Sequence, residues 1–197
     1  IVGKGADAAL RIVPGSGLGV LHDDAHSKQY RQYSDLPDEA RKMALSKDQC
    51  LIITKTNTRS TVHRPAYTDY IGIKKFNEKG ELIGERRLIG LYTSLAYSTN
   101  PESIPFLRQK VADVHELSGL SEKSHAGKDL SHILATFPRD DLLHASVDQI
   151  YELSMGIMRL QERRRIRLFA RKDVYGRFVS CLVYVPRENF NTSLAEK

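Results

Sequence analysis

A change of hydrophobic period near residue 165 constrains the fold of this chain more than any other feature of its sequence. A capping box at Ser146–Gln149 begins a run of apolar side chains at helical spacing, namely Ile150, Leu153, Ile157 and Leu160. From residue 166 the period is two, so that Ile166, Leu168 and Ala170 alternate with Arg167, Phe169 and Arg171. A turn at 172–176 and a second alternating run at 178–184 follow. The sequence therefore predicts a helix that leads into a two-stranded hairpin, with Arg167, Arg171 and Arg177 pointing outward.

The first hundred residues have the pattern of an antiparallel sheet. Short β-branched runs bounded by turn residues predict strands at 10–13, 50–54, 70–76 and 81–97. Asn77–Gly80 separates two of these runs and ends in a glycine, which is typical of a hairpin loop. A short helix is expected at 38–43, because it would have Pro37 and two acids at its start and cations at its end.

Helical periodicity dominates the middle of the chain. Ser103 is expected to cap a helix that Gly119 ends, and a second helix is expected at 127–137, where Pro138 stops it. We therefore predict an α+β fold in three parts: an antiparallel sheet module at 1–100, a helical connector at 101–160, and residues 161–197, which contain the hairpin. The chain opens at Ile1 in mid-pattern, so we expect it to be a piece of a longer polypeptide.

Composition places the chain among globular proteins. It has 197 residues, of which 41% are hydrophobic and 27% charged, and this balance argues against membrane and disordered classes. No apolar run approaches the roughly 18 residues of a membrane-spanning helix, and the start does not resemble a signal peptide. We therefore expect a cytoplasmic protein without a membrane partner. Cys50 and Cys181 are flanked by aliphatic residues and are predicted to be buried thiols.

Two short motifs have the residues of a ligand site but lack its context. The glycines at 15, 17 and 19 follow a G-x-G-x-G spacing, and Val20 stands where a dinucleotide-binding loop has its third glycine. His22 and His26 are four residues apart, but the glycines before them predict a loop and not a shared helix face. No nucleophile motif accompanies the other histidines. We predict no catalytic, cofactor-binding or metal-binding residue in this chain.

The stretch from Thr54 to Pro65 is unusually rich in hydrogen-bond donors. It contains four threonines, one serine, one asparagine, one histidine and three cations directly after an apolar strand. Three interpretations remain open: hydroxyl groups that satisfy a structured turn, a domain or subunit interface, and a site for a small effector. The candidate residues are Lys55, Asn57, Arg59, Ser60, His63 and Arg64.

The net charge of +6 is concentrated in one short segment. Residues 159–177 contain eight Lys or Arg against Glu162 and Asp173, so the rest of the chain has 22 basic and 22 acidic residues. Such a cluster is typical of an anion site, an interface, a solvated helix end or a nucleic-acid contact. We therefore add four candidates, Arg163, Arg164, Arg165 and Arg167, and keep a nucleic-acid-binding module acting through residues 159–177 as the alternative function. No RNA-binding sheet motif or helix-turn-helix supports that alternative.

Three segments of the chain resemble one known family. They are TKTNTRSTVHRP at 54–65, GERRLIGLYTS at 84–94, and the stretch from 160 to 186, which begins LQERRR and ends YGRFVSCLVYVP. Together they resemble the N-terminal region of the large bacterial NAD-specific glutamate dehydrogenases. The resemblance implies a parent oxidoreductase that deaminates L-glutamate to 2-oxoglutarate and ammonia with NAD as its cofactor. No position here corresponds to the family's catalytic Lys and Asp, so this segment alone is expected to be inactive.

The same resemblance implies modules for regulation and assembly. Residues 1–100 would form a PAS-like antiparallel sheet, and residues 161–197 would begin an ACT-like, ferredoxin-like module that the chain leaves incomplete. The implied partners are the other domains and subunits of a homo-oligomer. Allosteric regulation by a small amino-acid effector is also implied, because ferredoxin-like ACT modules typically bind such effectors at interfaces between sheets.

Overall fold

A computed structural model describes residues 1–3, 8–22, 30–161 and 165–190 of the chain. Two compact units contain them. The first unit comprises Ile1–Leu91 with Val174–Arg177, and the second comprises Tyr92–Asp173 with Phe178–Lys197.

The first unit is built on a three-stranded antiparallel sheet. Strands β3 (Leu51–Arg59), β4 (Tyr67–Phe76) and β5 (Leu82–Gly90) lie in that order. A separate antiparallel pair consists of β1 (Ala9–Arg11) and β2 (Tyr30–Gln32). The predicted loop at Asn77–Gly80 is confirmed, because Gly80 has a φ of 70° and the Asn77 N–H donates to the Glu81 carbonyl at 3.0 Å.

Strand β5 ends earlier than the sequence predicts. The expected strand at 81–97 stops at Gly90, and helix α2 (Ser94–Ser98) follows. The Thr99 N–H donates to the Leu95 carbonyl at 2.9 Å and closes this helical turn. Residues 94–96 are Ser-Leu-Ala, which do not favour a strand, so local propensity ends the ladder after Gly90.

Helix α1 (Asp38–Leu45) contributes to the core of the first unit. Ala40 of α1 is fully buried among Ile52, Tyr70 and Tyr175. The helix begins after Pro37 and has Asp38 and Glu39 in its first turn, as the sequence predicts. The described core of this unit is therefore small and includes aromatic side chains with hydroxyl groups.

The second unit has a helical core. Its helices are α2, α3 (Pro105–Ser118), α4 (His125–Thr136), α5 (Arg139–His144) and α6 (Val147–Gln161). Two predicted helix ends are confirmed: Gly119 ends α3 with a φ of 62°, and Ser146 and Gln149 form the capping box of α6 through hydrogen bonds of 3.1 and 3.2 Å. The buried side chains are Leu107, Val111, Val114, Leu130, Ile133, Leu134, Phe137, Leu142, Ala145, Ile150 and Ile157.

Helix α5 is absent from the sequence-based prediction. Pro138 was expected only to stop a helix, but it also stands at the N-cap of α5, whose first turn contains Asp140 and Asp141. A proline fits before or within the first turn because its missing N–H would have no intrahelical partner there. The same residue therefore ends α4 and begins α5.

The hairpin and the exposed position of Arg167 are confirmed, but the prediction that Arg171 also points outward is wrong. Strands β6 (Arg167–Lys172) and β7 (Val179–Tyr184) pair antiparallel, with Leu168 opposite Val183. Leu168 and Val183 are 57% and 55% exposed, whereas Arg171 is only 6% exposed. Arg171 points inward because its guanidinium donates to the Asp141 carboxylate at 2.9 Å.

Aromatic packing supports this inverted orientation. Phe169 shares its face of β6 with Arg171 and packs against the helical core together with Leu182 and Tyr184 of β7. The Phe169 and Tyr184 rings meet edge to face with centroids 6.0 Å apart. An alternating strand has two possible inner faces, and here the bulky aromatic residues and the Asp141 partner decide between them.

The prediction that both thiols are buried is also wrong. Cys50 and Cys181 are exposed and unpaired. Cys50 directly precedes β3, and Cys181 lies opposite Ala170 on the exposed face of the β6–β7 hairpin. Within the described part of the chain, no helix is long and apolar enough to cross a membrane.

Candidate interaction site on the β3–β4 hairpin

The first group of candidate residues lies on the hairpin of β3 and β4. Strand β3 continues through Arg59, so half of the predicted loop is strand. The pairing is regular up to Lys55 opposite Asp69 and resumes at Arg59 opposite Tyr67, with a bulge between them. We call residues 56–68, which include this bulge and the loop beyond it, the distal arm.

Lys55 is engaged within the sheet. Its ammonium donates to the Asp69 carboxylate at 2.7 Å, and the two side chains are 19% and 4% exposed. Lys55 therefore holds the base of the distal arm and is poorly placed to bind a ligand.

Threonine hydroxyl groups stabilise the bulge. The Thr56 and Thr68 hydroxyl oxygens are 2.6 Å apart across the two strands. One of these hydroxyls donates to the other, and the remaining hydroxyl hydrogen is directed to the Thr58 carbonyl, which lies 3.1 Å from the Thr56 hydroxyl and 3.3 Å from that of Thr68. The Thr58 N–H donates to the Thr56 hydroxyl at 3.1 Å. These bonds replace ladder bonds that the bulge interrupts. Asn57 between them is exposed.

The loop at the end of the distal arm is also held by hydrogen bonds. The Ser60 N–H donates to the Ala66 carbonyl at 2.8 Å, and the Ser60 hydroxyl donates to the Val62 carbonyl at 2.8 Å. His63 has a φ of 65°, the one positive value among the described residues other than glycine. A histidine in this left-handed region is uncommon, so the surrounding bonds determine the loop conformation.

The outer surface of the distal arm combines cations with apolar groups. The Arg59 guanidinium lies over the Tyr67 ring, 5.1 Å from its centroid, and both residues are exposed. Val62, at the end of the arm, is 61% exposed. His63 and Arg64 are exposed beside it. Sequence analysis missed Tyr67 and Val62, because only the strand register places Tyr67 opposite Arg59.

The second group of candidates belongs to the other unit. Arg165 and Arg167 are exposed, and the Arg167 guanidinium lies 5.7 Å from the centre of the Phe169 ring. Arg163 and Arg164 lie outside the described residues. Arg171, which the basic cluster also contains, is occupied by Asp141. The basic cluster therefore has fewer accessible cations than its sequence indicates.

The first unit also contains a small cavity. Leu10, Tyr33, Leu36, Ala44, Ile52, Thr54, Tyr70, Glu85 and Tyr175 line it. Its volume of about 20 Å³ is enough for about one water molecule and too small for an amino acid. Among the residues that the structure describes, no three His, Cys, Asp or Glu side chains come together as a metal site.

Comparison with known proteins identifies the family. Residues 104–163 match the family model described as glutamate dehydrogenase, helical motif 1, and residues 167–197 match that of the glutamate dehydrogenase ACT2 domain. The chain is 40% identical over 182 residues to the NAD-specific glutamate dehydrogenase of Halomonas elongata and 42% identical over 175 residues to that of Pseudomonas aeruginosa. It belongs to the NAD-specific glutamate dehydrogenase family. The predicted resemblance is thereby confirmed.

The matched regions define how much of a glutamate dehydrogenase is present. The two alignments cover 92% and 88% of this chain but only 11% and 10% of those relatives. A third relative, the NAD-specific glutamate dehydrogenase of Mycobacterium tuberculosis, is 27% identical over 179 residues, or 10% of its length. The chain thus spans about a tenth of the length of these glutamate dehydrogenases.

Proposed function

We propose that the chain is a non-catalytic regulatory and assembly segment of an NAD-specific glutamate dehydrogenase. The observation that carries the proposal is the coverage of the relatives, which share this segment and contain about eight to nine times as much additional polypeptide. The names of the matching family models, a helical motif and an ACT2 domain, describe segments of a glutamate dehydrogenase. The parent polypeptide would deaminate L-glutamate with NAD, and the NAD site would lie outside this segment.

The three-part organisation remains part of this proposal. Residues 1–100 would form a PAS-like module, residues 101–160 a helical connector, and residues 161–197 the beginning of an ACT-like module. The antiparallel sheet β3–β5 and its helix α1 support the first assignment, and the ACT2 match from residue 167 supports the last. Each module would act by favouring one arrangement of the distant catalytic domains in a cytoplasmic homo-oligomer, to the extent of its differential affinity.

Activity of the purified chain tests the non-catalytic role. With glutamate and NAD present, we expect no NADH absorbance above that of a protein-free sample, while the intact enzyme in the same assay reduces NAD. Turnover by the purified chain would contradict the proposal. Deleting the segment from the intact polypeptide should change its oligomeric state by mass photometry or its response to amino acids. An intact assembly with an unchanged response would count equally against the proposal.

An amino-acid effector is the part of the proposal with least geometric support in the first unit. Lys55 is paired with Asp69, and the small cavity of this unit has room for about one water molecule. A thermal-shift screen of amino acids against the chain tests this directly, because a bound ligand raises the melting temperature with the logarithm of its concentration. The nucleic-acid alternative is weakened by the burial of Arg171 and would require a complex that dissociates steeply with salt in a shift assay.

A further inference from the structure

We infer that one face of the sheet β3–β5 is the docking surface for an amphipathic helix of the same subunit, supplied by a part of the glutamate dehydrogenase polypeptide outside these 197 residues. The inference rests on the proposed function, because it names a contact through which the segment would join the rest of its own subunit. We call the face that points away from helix α1 the outer face.

Strand register assigns five aliphatic side chains to the outer face. Ile52 and Tyr70 lie in the core with Ala40 of α1, so their neighbours in the chain point to the other side of the sheet. Residues directly opposite each other share a face, and the pairing therefore gives two neighbouring rows across the three strands. One row is Ile53, Ile71 and Leu88, and the other is Leu51, Ile73 and Arg86.

The aliphatic side chains of the outer face are accessible. Ile73 and Leu88 are 43% and 49% exposed, and the other three are half-buried. Among the residues that the structure describes, none of the five belongs to a hydrophobic cluster. A sheet with one solvated face alternates apolar with polar residues, whereas strands covered on both faces have continuous apolar runs. Residues 51–53 and 88–89 are such runs, so the strands have the composition of a sheet covered on both faces.

Two cations lie at one end of the outer face. Lys75 follows Ile73 on the same side of β4, and Arg86 lies opposite Ile73 on β5. Both cations are exposed, and within the described part of the chain neither forms a salt bridge. At the other end of the face, Lys55 is already paired with Asp69. The outer face therefore fits an occupant with an apolar stripe and with carboxylates at the end that meets the two cations.

A single helix fits the dimensions of this surface. The two rows are two residues apart along each strand, or about 6.8 Å, and successive turns of a helix are about 5.4 Å apart. Two to three helical turns therefore cover both rows. The occupant should have aliphatic residues at i, i+3, i+4 and i+7, and Asp or Glu in the turn that lies over Lys75 and Arg86.

A second copy of the chain fits this surface less well than a tethered segment. The two rows across three strands occupy on the order of 200 Å², whereas a stable interface between separate proteins takes about 800 Å² on each partner. A segment of the same chain has a roughly millimolar effective concentration and needs much less contact. The relatives contain about eight to nine times as much polypeptide outside the matched segment, which is ample length to supply one helix.

Site-specific photocrosslinking in the intact glutamate dehydrogenase polypeptide tests the inference. p-Benzoylphenylalanine replaces Leu88, whose side chain lies on the outer face. Oligomers assembled from an equal mixture of isotopically light and heavy subunits distinguish the two kinds of contact, because a crosslink between subunits gives peptides of mixed isotope. We expect a crosslink within one subunit, to a peptide outside the 197 residues that has apolar residues at helical spacing and an Asp or Glu.

Variants of the outer face supply matched controls. Ile73→Glu should lower the crosslink about tenfold, because it places a carboxylate within the apolar stripe, whereas Ile73→Val should retain it. Lys79→Glu, in the exposed β4–β5 loop, should also leave it unchanged.

Charge reversal tests the cationic end separately. Lys75→Glu with Arg86→Glu should lower the crosslink severalfold, whereas Lys75→Arg with Arg86→Lys keeps both charges and should retain it. Ile73, Lys75 and Arg86 are exposed in the 197-residue chain, so its melting should change little in these variants. If Ile73→Glu nevertheless unfolds the sheet, the charge-reversal pair decides the question.

Three results would overturn the inference: a crosslink between subunits, no crosslinked peptide of helical apolar spacing, or a loss for Lys79→Glu equal to that for Ile73→Glu. Failure of the proposed function has a different signature. In that event the helix would crosslink within its subunit as expected, yet deletion of the segment would leave assembly and amino-acid response unchanged.

Discussion

At the scale of single residues, Lys110 shows how burial changes a titratable group. Its ammonium donates to the carbonyls of Leu142, Leu143 and Ala145, at 2.9, 3.0 and 2.7 Å, at the end of helix α5. Burial, with a smaller contribution from the Arg171 guanidinium, lowers the pKa of Lys110 from 10.5 to about 8. The lysine thus satisfies carbonyls that a helix end leaves without partners, at the cost of a partly desolvated charge.

This pKa predicts a specific pH dependence of stability. Between pH 8 and 10.5 the folded chain releases a proton that the unfolded chain keeps, so the contribution of Lys110 to the free energy of unfolding rises with pH. Below pH 8 both states keep the proton, and the contribution is constant. Urea unfolding of the parent and Lys110→Met at pH 7.5 and 9.5 measures this, because other titrating groups cancel in the difference. The free energy of unfolding of the parent, relative to that of Lys110→Met, should be higher at pH 9.5 than at pH 7.5.

The exposed Lys79 provides the control for this experiment. Lys79→Met removes the same charge from the β4–β5 loop, so it measures how the loss of an exposed lysine changes the free energy of unfolding at the two pH values. A difference between the parent and Lys110→Met that is the same at pH 7.5 and pH 9.5 would contradict the lowered pKa of Lys110.

At the scale of secondary-structure elements, the β6–β7 hairpin shows what local pattern can and cannot predict. Caps and turn glycines predicted the start of α6, the end of α3 and the β4–β5 loop, because those signals act within a few residues. The inner face of the hairpin depends on Asp141, which is 30 residues from Arg171. Alternation alone predicts that Leu168 and its aliphatic neighbours face the core, whereas the salt bridge to Asp141 turns the face with Arg171 inward.

The candidate site shows the same limit. The donors of the distal arm were predicted from composition, but their roles depend on strand register. The salt bridge to Asp69 on the neighbouring strand keeps the Lys55 ammonium out of the exposed surface of the site. Tyr67 belongs to that surface because it lies opposite Arg59 and contacts its guanidinium. Neither pairing is visible until β3 and β4 are aligned with the bulge between them.

Paired substitutions on β6 test the observed orientation. Arg171→Leu leaves the Asp141 carboxylate without its cationic partner in a buried position, and we expect a loss of about 3 kcal/mol in the free energy of unfolding. Leu168→Arg places a charge where the side chain is 57% exposed, so the expected change is within about 0.5 kcal/mol. Urea unfolding of the 197-residue chain measures both. If Arg171 pointed outward and Leu168 inward, as the sequence pattern favours, Leu168→Arg would destabilise the chain more than Arg171→Leu.

At the scale of the whole molecule, the chain has one cysteine in each of its two units. Cys50 belongs to the first unit and Cys181 to the second, and both thiols are exposed. An exposed thiol reacts without unfolding, whereas a buried one waits for the unit around it to open. The native chain should therefore release two equivalents of thionitrobenzoate from Ellman's reagent in a single rapid phase, without denaturant.

Variants that lack one cysteine show which unit releases which equivalent of thionitrobenzoate. Cys50→Ser and Cys181→Ser should each leave one rapidly reacting thiol, and the double variant should leave none. Acceleration of either thiol by mild urea would show that its unit must open first, which would contradict the exposed position of that cysteine. Each single variant therefore reports the accessibility of one thiol, that of Cys181 in the hairpin or that of Cys50 beside the first sheet.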